Sequence, residues 1–200
     1  MKRFPLLLAV VFVIYWAVLA IAPVSRTVWW AENLPVMAVF AFLALAYRNF
    51  RFSNTAYALM AFWMFWHTMG GHYTFANVPF GWFSDLFGFE RNHFDRIGHF
   101  SVGFYAYPIA EYLLRKRLCG PVLATLFSLF SIMSVACGYE IIEWWFAVLE
   151  GGDAGLEFLG SQGDIWDAQK DMLLDTLGAM ASLGLYQLIR PHRFLATQQD

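Results

Sequence analysis

Asp164, Asp167, Asp171 and Asp175 stand three, four and four residues apart where the apolar segment GDIWDAQKDMLLDTLGAMASLGLYQLI begins. In a helix, at about 100° per residue, they fall in one stripe on one face. Inside a membrane each ionised carboxylate costs about 2.5–3.5 kcal/mol on insertion scales, and neighbours of like charge repel. Such a stripe needs a cation, protons or hydrogen-bond donors. Other residues of the right chemistry are present. Asp95 and His99 are spaced i,i+4, and Glu140 and Glu143 i,i+3, so each pair shares a helix face. Neutral imidazole with several carboxylates suits Zn²⁺, Mn²⁺ or iron, and an all-carboxylate subset suits Mg²⁺. The candidate metal ligands are therefore His72, Asp95, His99, Asp164, Asp167, Asp171 and Asp175. Glu140 and Glu143 are the candidate catalytic bases, and His67, Arg96 and Lys170 are possible additions. Helical bundles build metal sites in this way, from Glu and His side chains projecting inward.

The elements that must position these residues are membrane spans. The chain is 60% hydrophobic and 20% aromatic but only 14% charged, outside the balance of a soluble domain. Six apolar stretches, near 4–22, 33–47, 56–71, 97–114, 122–149 and 167–189, approach the roughly 20 residues that cross a hydrocarbon core. The expected fold is all-α: a polytopic membrane helical bundle of six transmembrane helices, forming one integral-membrane domain over residues 1–200. Met1-Lys2-Arg3 is a basic start, but the following apolar run is long for a signal peptide, and cleavage after Ala22 would leave Pro23 first. A retained span is the expectation.

Lys2, Arg3, Arg48, Arg51, Arg115, Lys116, Arg117, Arg190 and Arg193 fall on one side of these spans. Arg26, Arg91, Arg96 and Lys170 fall on the other. That asymmetry puts both termini in the cytoplasm. Trp29, Trp30, Trp66, Trp82, Trp144, Trp145 and Trp166 gather at the opposite interface, where indoles prefer to sit. A net charge of −2 gives no reason to expect nucleic acid. Cys119 and Cys137, about 27 Å apart if both are on one helix, cannot pair with each other.

On this topology His67, His72, Asp95, His99, Glu140, Glu143 and the four aspartates converge near one depth, below the outer surface. Each also has a plainer explanation. Asp164 and Asp167 are suited to the start of the last helix, an account that fails for Asp171 and Asp175, one and two turns further in. Arg96 and Lys170 offer a metal-free ion-pair network. A terminal His is commonly an interfacial hydrogen-bonder, and Glu111 with Arg115 reads as a rim pair. Gly178 and Ser182 continue the aspartate face and would let a neighbouring helix approach closely. Ser101, Ser134 and Ser161 have no recognisable Ser-His-Asp arrangement. Segment 73–91, with VPFGWFSDLFGF, reads as an outer interfacial loop or short helix, either lid or anchor. Segment 150–163 is a glycine-rich acidic loop that admits cations or simply turns.

In HYTFANVP, RNHFDRIGHFSVGF, YEIIEWW and FLGSQGDIWDAQKDM the chain resembles the YjdF-like family of bacterial inner-membrane proteins, over about residues 67–178. The resemblance implies a multi-pass protein of the inner membrane with six spans. It marks His72, Asp95, His99, Glu140, Glu143, Asp164, Asp167 and Asp171 as motif positions, and it supplies no reaction. Three functions fit. The first is a metal-dependent membrane enzyme, a hydrolase or a phosphoryl- or acyl-transfer enzyme, acting on a lipid or lipid-linked substrate at the outer leaflet. The second is a cation- or proton-coupled transporter, for which no inverted repeat is visible; a homo-oligomer could supply the missing path. The third is a non-catalytic protein whose polar cluster only fixes helix packing. Membrane lipids are the expected partners.

Overall fold

The computed structural model describes residues 3–195 and is helical throughout; Lys2, counted above, lies outside the described residues. The helices are α1 (Arg3–Leu19), α2 (Arg26–Ala46), α3 (Asn54–Tyr73), α4 (Gly81–Phe87), α5 (Phe94–Val102), α6 (Ala106–Arg115), α7 (Pro121–Glu150), α8 (Gly152–Leu159), α9 (Asp167–Ile189) and α10 (His192–Leu195). Three of them, α2, α7 and α9, have the length and apolarity to cross a membrane. α1 is apolar but shorter, at 17 residues, and α3 has the length but carries His, Gly and Trp.

Local signals set the helix ends. Ser25 caps α2 by accepting from Val28 N, so the helix begins at Arg26, seven residues before the span expected to begin at 33. Two further turns of α2 are thereby gained, and they carry Glu32 into the protein. Ser53 caps α3 through Ala56 N, and Pro121 opens α7 at a position where its missing N–H is not needed. The fourth expected span is broken: a 3₁₀ turn, Gly103–Tyr105, separates α5 from α6. The expected loop at 150–163 is largely helical, because α8 folds back on α7. Cys119 lies in the turn before α7 rather than on it, and both cysteines are free.

α1 and α3 run in one direction and α2 in the other, since Phe12 meets both Phe40 and Phe65 while His72 reaches the carbonyl of Leu19. The basic residues accordingly share one end of the bundle. There Arg115 Nη1 donates to the Arg51 carbonyl at 2.7 Å, and α10 packs on α6. Glu111 is more than a rim pair. It is 0% exposed and accepts from the backbone N and the hydroxyl of Ser53 at 2.7 and 2.6 Å as well as from Arg115. It locks α6 to the cap of α3.

At the other end the closest packing is backbone on backbone. A Cβ on Gly103 would overlap α9 at Asp175 and Ala179, and a Cβ on Gly178 would overlap the Phe100 carbonyl oxygen. Ser182 Oγ donates to the Gly103 carbonyl at 3.0 Å. The small-residue face of α9 thus receives α5 directly, which brings Asp95 and His99 over Asp171 and Asp175. Trp30, Trp82, Trp144, Trp145 and Trp166 are exposed, but Trp29 is buried against Trp16 and Trp66 stacks on Phe94. These two indoles are packing residues rather than interfacial ones.

Candidate functional site

Two polar walls face one cavity. The first is built by α5 and α9. Arg96 donates to Asp167 and Asp171 through short contacts and to Asp164 Oδ2 at 3.2 Å. Arg91 Nη1 donates to Asp167 Oδ1 at 2.6 Å, and Lys170 Nζ to Asp164 Oδ2 at 2.6 Å. Asp164 is not on the helical stripe: α9 begins at Asp167, and Asp164 sits in the preceding turn, accepting from Trp166 N. Nor does Asp167 accept a capping bond; it serves the two arginines. The Lys170 hydrogen bond, then the Trp166 N–H, holds the Asp164 carboxyl below its ordinary value.

Deeper in, the network changes character. His99 Nδ1 lies 3.2 Å from Asp175 Oδ2. With Asp175 ionised, Nδ1 is the donor in this contact, and Nε2 faces the other way, toward Asp95 and Asp171. Nε2 is 3.6 Å from Asp95 Oδ1 and 3.9 Å from Asp171 Oδ1, too far for hydrogen bonds. Ligands about 2.0–2.1 Å from a tetrahedral metal lie about 3.3–3.4 Å apart. Asp95, His99 and Asp171 each offer one atom within 4.8 Å of the others, so the gap is close to the size of an ion. Asp175 then orients the imidazole from behind rather than binding directly, as metal-ligating histidines commonly require. Its other oxygen, Oδ1, is buried without a partner, as is Glu140 Oε1.

Of the residues expected from sequence, Asp95, Arg96, His99, Asp167, Asp171 and Asp175 come together, with Asp164 and Lys170 at the rim of the group. Glu140, the residue after Tyr139 on α7, is not among the residues that line the cavity. Glu143 and His67 line the cavity. His72 does not join: its Nδ1 donates to the Leu19 carbonyl at 2.8 Å, tying α3 to the end of α1. Ser101 and Ser134 hydrogen-bond to carbonyls of their own helices.

The second wall was not anticipated. Glu32, 2% exposed on α2, accepts from Tyr139 OH at 2.8 Å, and its Oε2 is 3.0 Å from His67 Nε2. The cavity between the walls, about 300 Å³, touches Glu32, His67, Tyr139, Asp95, His99 and Asp175 at its polar end. Apart from Glu143, the rest of its lining is largely apolar. Glu32 was missed because the second span was started one residue after it; the Ser25 cap was the available signal. Arg91 was counted only as a charge on one side of the membrane, although its i,i+4 spacing from Asp95 is visible in RNHFD.

Fold and site together define a helical membrane protein with a polar chamber buried toward one end. The chain belongs to the family described as predicted membrane protein (DUF2238), whose model it matches over residues 4–192. It is 32% identical over 162 residues to inner membrane protein YjdF of Escherichia coli (strain K12), an alignment covering 80% of this chain and 77% of that protein. No solved structure matches it.

Proposed function

We propose that this chain is a six-span inner-membrane enzyme that holds a divalent metal at Asp95, His99 and Asp171 and acts on a lipid or lipid-linked substrate at the extracytoplasmic face. The observation that carries the proposal is the uncrossed gap between His99 Nε2 and the two carboxylates, with Asp175 behind the ring. Charge points the same way. Glu32, Asp95, Glu143 and Asp175, all buried, line the chamber, and among the described residues no arginine or lysine lines it. Such an excess of buried carboxylates is balanced by protons or by a metal. Arg96 already holds Asp171, so the metal shares that carboxylate with it.

In this reading α1, α2, α3, the broken α5–α6 pair, α7 and α9 are the spans. The basic end and both termini face the cytoplasm, and the exposed Trp82, Leu86 and Phe87 of α4 lie in the outer interface. A metal held by Asp95, His99 and Asp171 would supply Lewis acidity to a carbonyl or phosphoryl oxygen and to water. Glu143, at the cavity wall, would be the general base that takes the water's proton, with Glu140 beside it. Transport fits less well: beyond the cavity a core of Tyr107, Tyr186, Met60 and Leu183 closes the bundle. The test is turnover of a membrane lipid extract by purified protein in nanodiscs, with Mn²⁺ or Zn²⁺ and with chelator. Chelator-sensitive product formed by wild type and absent with Glu143→Gln supports the proposal. Turnover that survives both chelation and Asp171→Asn overturns it.

A further inference from the structure

The cavity has walls of unequal quality. α2 packs on α3 and, at its N-terminal end, on α8; α7 packs on α6, α8 and α9. Across the cavity from each other, α2 and α7 do not pack together along their lengths. What joins them is the hydrogen bond from Tyr139 to Glu32. Below that bond, toward the basic end, the two sides of the gap are Pro35 and Val39 on α2 and Ile132, Val135 and Ala136 on α7. Val135 lines the cavity yet is 56% exposed, so it stands on a rim, whereas Ile132 and Ala136 are each 2% exposed and lie inside. The gap therefore opens sideways, in the direction a bilayer would occupy.

We infer that one acyl chain of a bilayer lipid enters this cavity laterally, between α2 and α7, and brings its polar end between the Glu32–His67 wall and the Asp95–His99 wall. The lining fits such an occupant. Its apolar part, including Val39, Val102, Ile109, Ile132 and Ala136, offers water no partners, and its volume is at the lower end for ligand pockets, suiting one chain rather than a whole lipid. The route fits as well. A chain sliding in from the bilayer stays in apolar surroundings, whereas one arriving through water would cost about 0.8 kcal/mol per exposed methylene. Tyr139 and Glu32, on opposite lips at the polar end, act as a latch: with the bond made the head of the gap is closed, and breaking it frees α2 from α7. The inference rests on the membrane-spanning, lipid-binding half of the proposed function and does not need the metal.

The probe is a phosphatidic acid whose acyl chain ends in a diazirine, incorporated with the full-length protein in nanodiscs and photolysed, with adducts mapped by peptide mass spectrometry. Phe130, 55% exposed on α7, reports contact with bulk lipid. Adducts on Ile132 and Ala136 as well as Phe130 are expected in wild type. Val135→Trp, or Val39→Phe from the opposite lip, should abolish the inner adducts and spare Phe130, whose continued labelling shows that the bundle is intact. Tyr139→Phe should speed the appearance of the inner adducts. Labelling confined to Phe130 in metal-loaded wild type overturns the lateral route alone, as do inner adducts that persist in both lip variants. Inner labelling in protein that binds no metal overturns the metal assignment and leaves the route standing.

Discussion

The approach of α5 to α9 makes the strongest quantitative demand on this chain, and Gly178→Ala tests it. A methyl group there meets the Phe100 carbonyl oxygen at less than contact distance, with the Phe100 carbonyl carbon at 2.9 Å and Gly103 Cα at 3.3 Å. All three atoms are backbone, so no side chain can rotate aside and the helices must separate. Overpacking ordinarily costs about 1–3 kcal/mol, and a backbone-on-backbone clash belongs at the top of that range. Helix propensity returns up to about 1 kcal/mol, leaving a loss of about 2 kcal/mol. Gly184 on the same helix supplies the control. A Cβ there meets nothing within 4 Å, so Gly184→Ala should gain up to about 1 kcal/mol. The variants should differ by about 3 kcal/mol, or about 6–12 °C in Tm for a chain of this size, read by thermal melting in detergent. The separation should also be felt at the site. His99 lies one turn before Gly103 and Asp175 one turn before Gly178, so pushing the backbones apart draws His99 Nδ1 away from Asp175 and lowers metal affinity. Equal Tm values for the two variants would refute the packing argument.

Arg96→Ala leaves Asp167 and Asp171 without their main cation and should cost about 3–5 kcal/mol; added Mn²⁺ should restore more of the lost Tm than it adds to wild type. Asp164 should contribute to the acid limb of stability: its carboxyl is held below the usual value by Lys170, so its contribution is present above the ordinary carboxylate range and disappears as pH falls through the folded-state value. A profile of Tm against pH should therefore be flatter at its acid end in Asp164→Asn, and an unchanged limb would contradict this. Tyr139→Phe removes one partly buried hydrogen bond and should cost about 1–2 kcal/mol by denaturation in detergent. Glu32→Ala should cost more, because it removes the partner of Tyr139 and the carboxylate beside His67, whose Nε2 keeps only the residue-32 carbonyl at 3.1 Å. Equal losses would show that Glu32 is not the hub of that wall.

Helix identity and the deeper half of the site were readable from the chain because each rests on spacing within one element. Asp95 with His99, and Asp171 with Asp175, share faces whatever the surrounding fold, and Gly178 with Ser182 announced a close neighbour. What could not be read were relations fixed by tertiary contact. Nothing in residues 97–114 states that Gly103 must unwind into a 3₁₀ turn; the demand comes from α9 lying against it. His72 belongs to the same motif-bearing segment as its neighbours, yet the rotation of α3 presents it to Leu19 and sends His67 to the cavity. Asp164 follows the stripe's spacing but precedes the helix, since its carboxylate is spent on Trp166 N and Lys170. Glu32 needed only one observation, that Ser25 caps a helix beginning a full two turns before the apolar run looks continuous.

The central claim is that Asp95, His99 and Asp171 hold a metal, and elemental analysis tests it most directly. Wild-type protein is purified gently without chelator, beside His99→Ala, Asp171→Ala and, as a control at the excluded histidine, His72→Ala. The account predicts one divalent ion per chain in wild type and His72→Ala, and little or none in the other two variants. Metal-free wild type, or the same content in all four proteins, would contradict it.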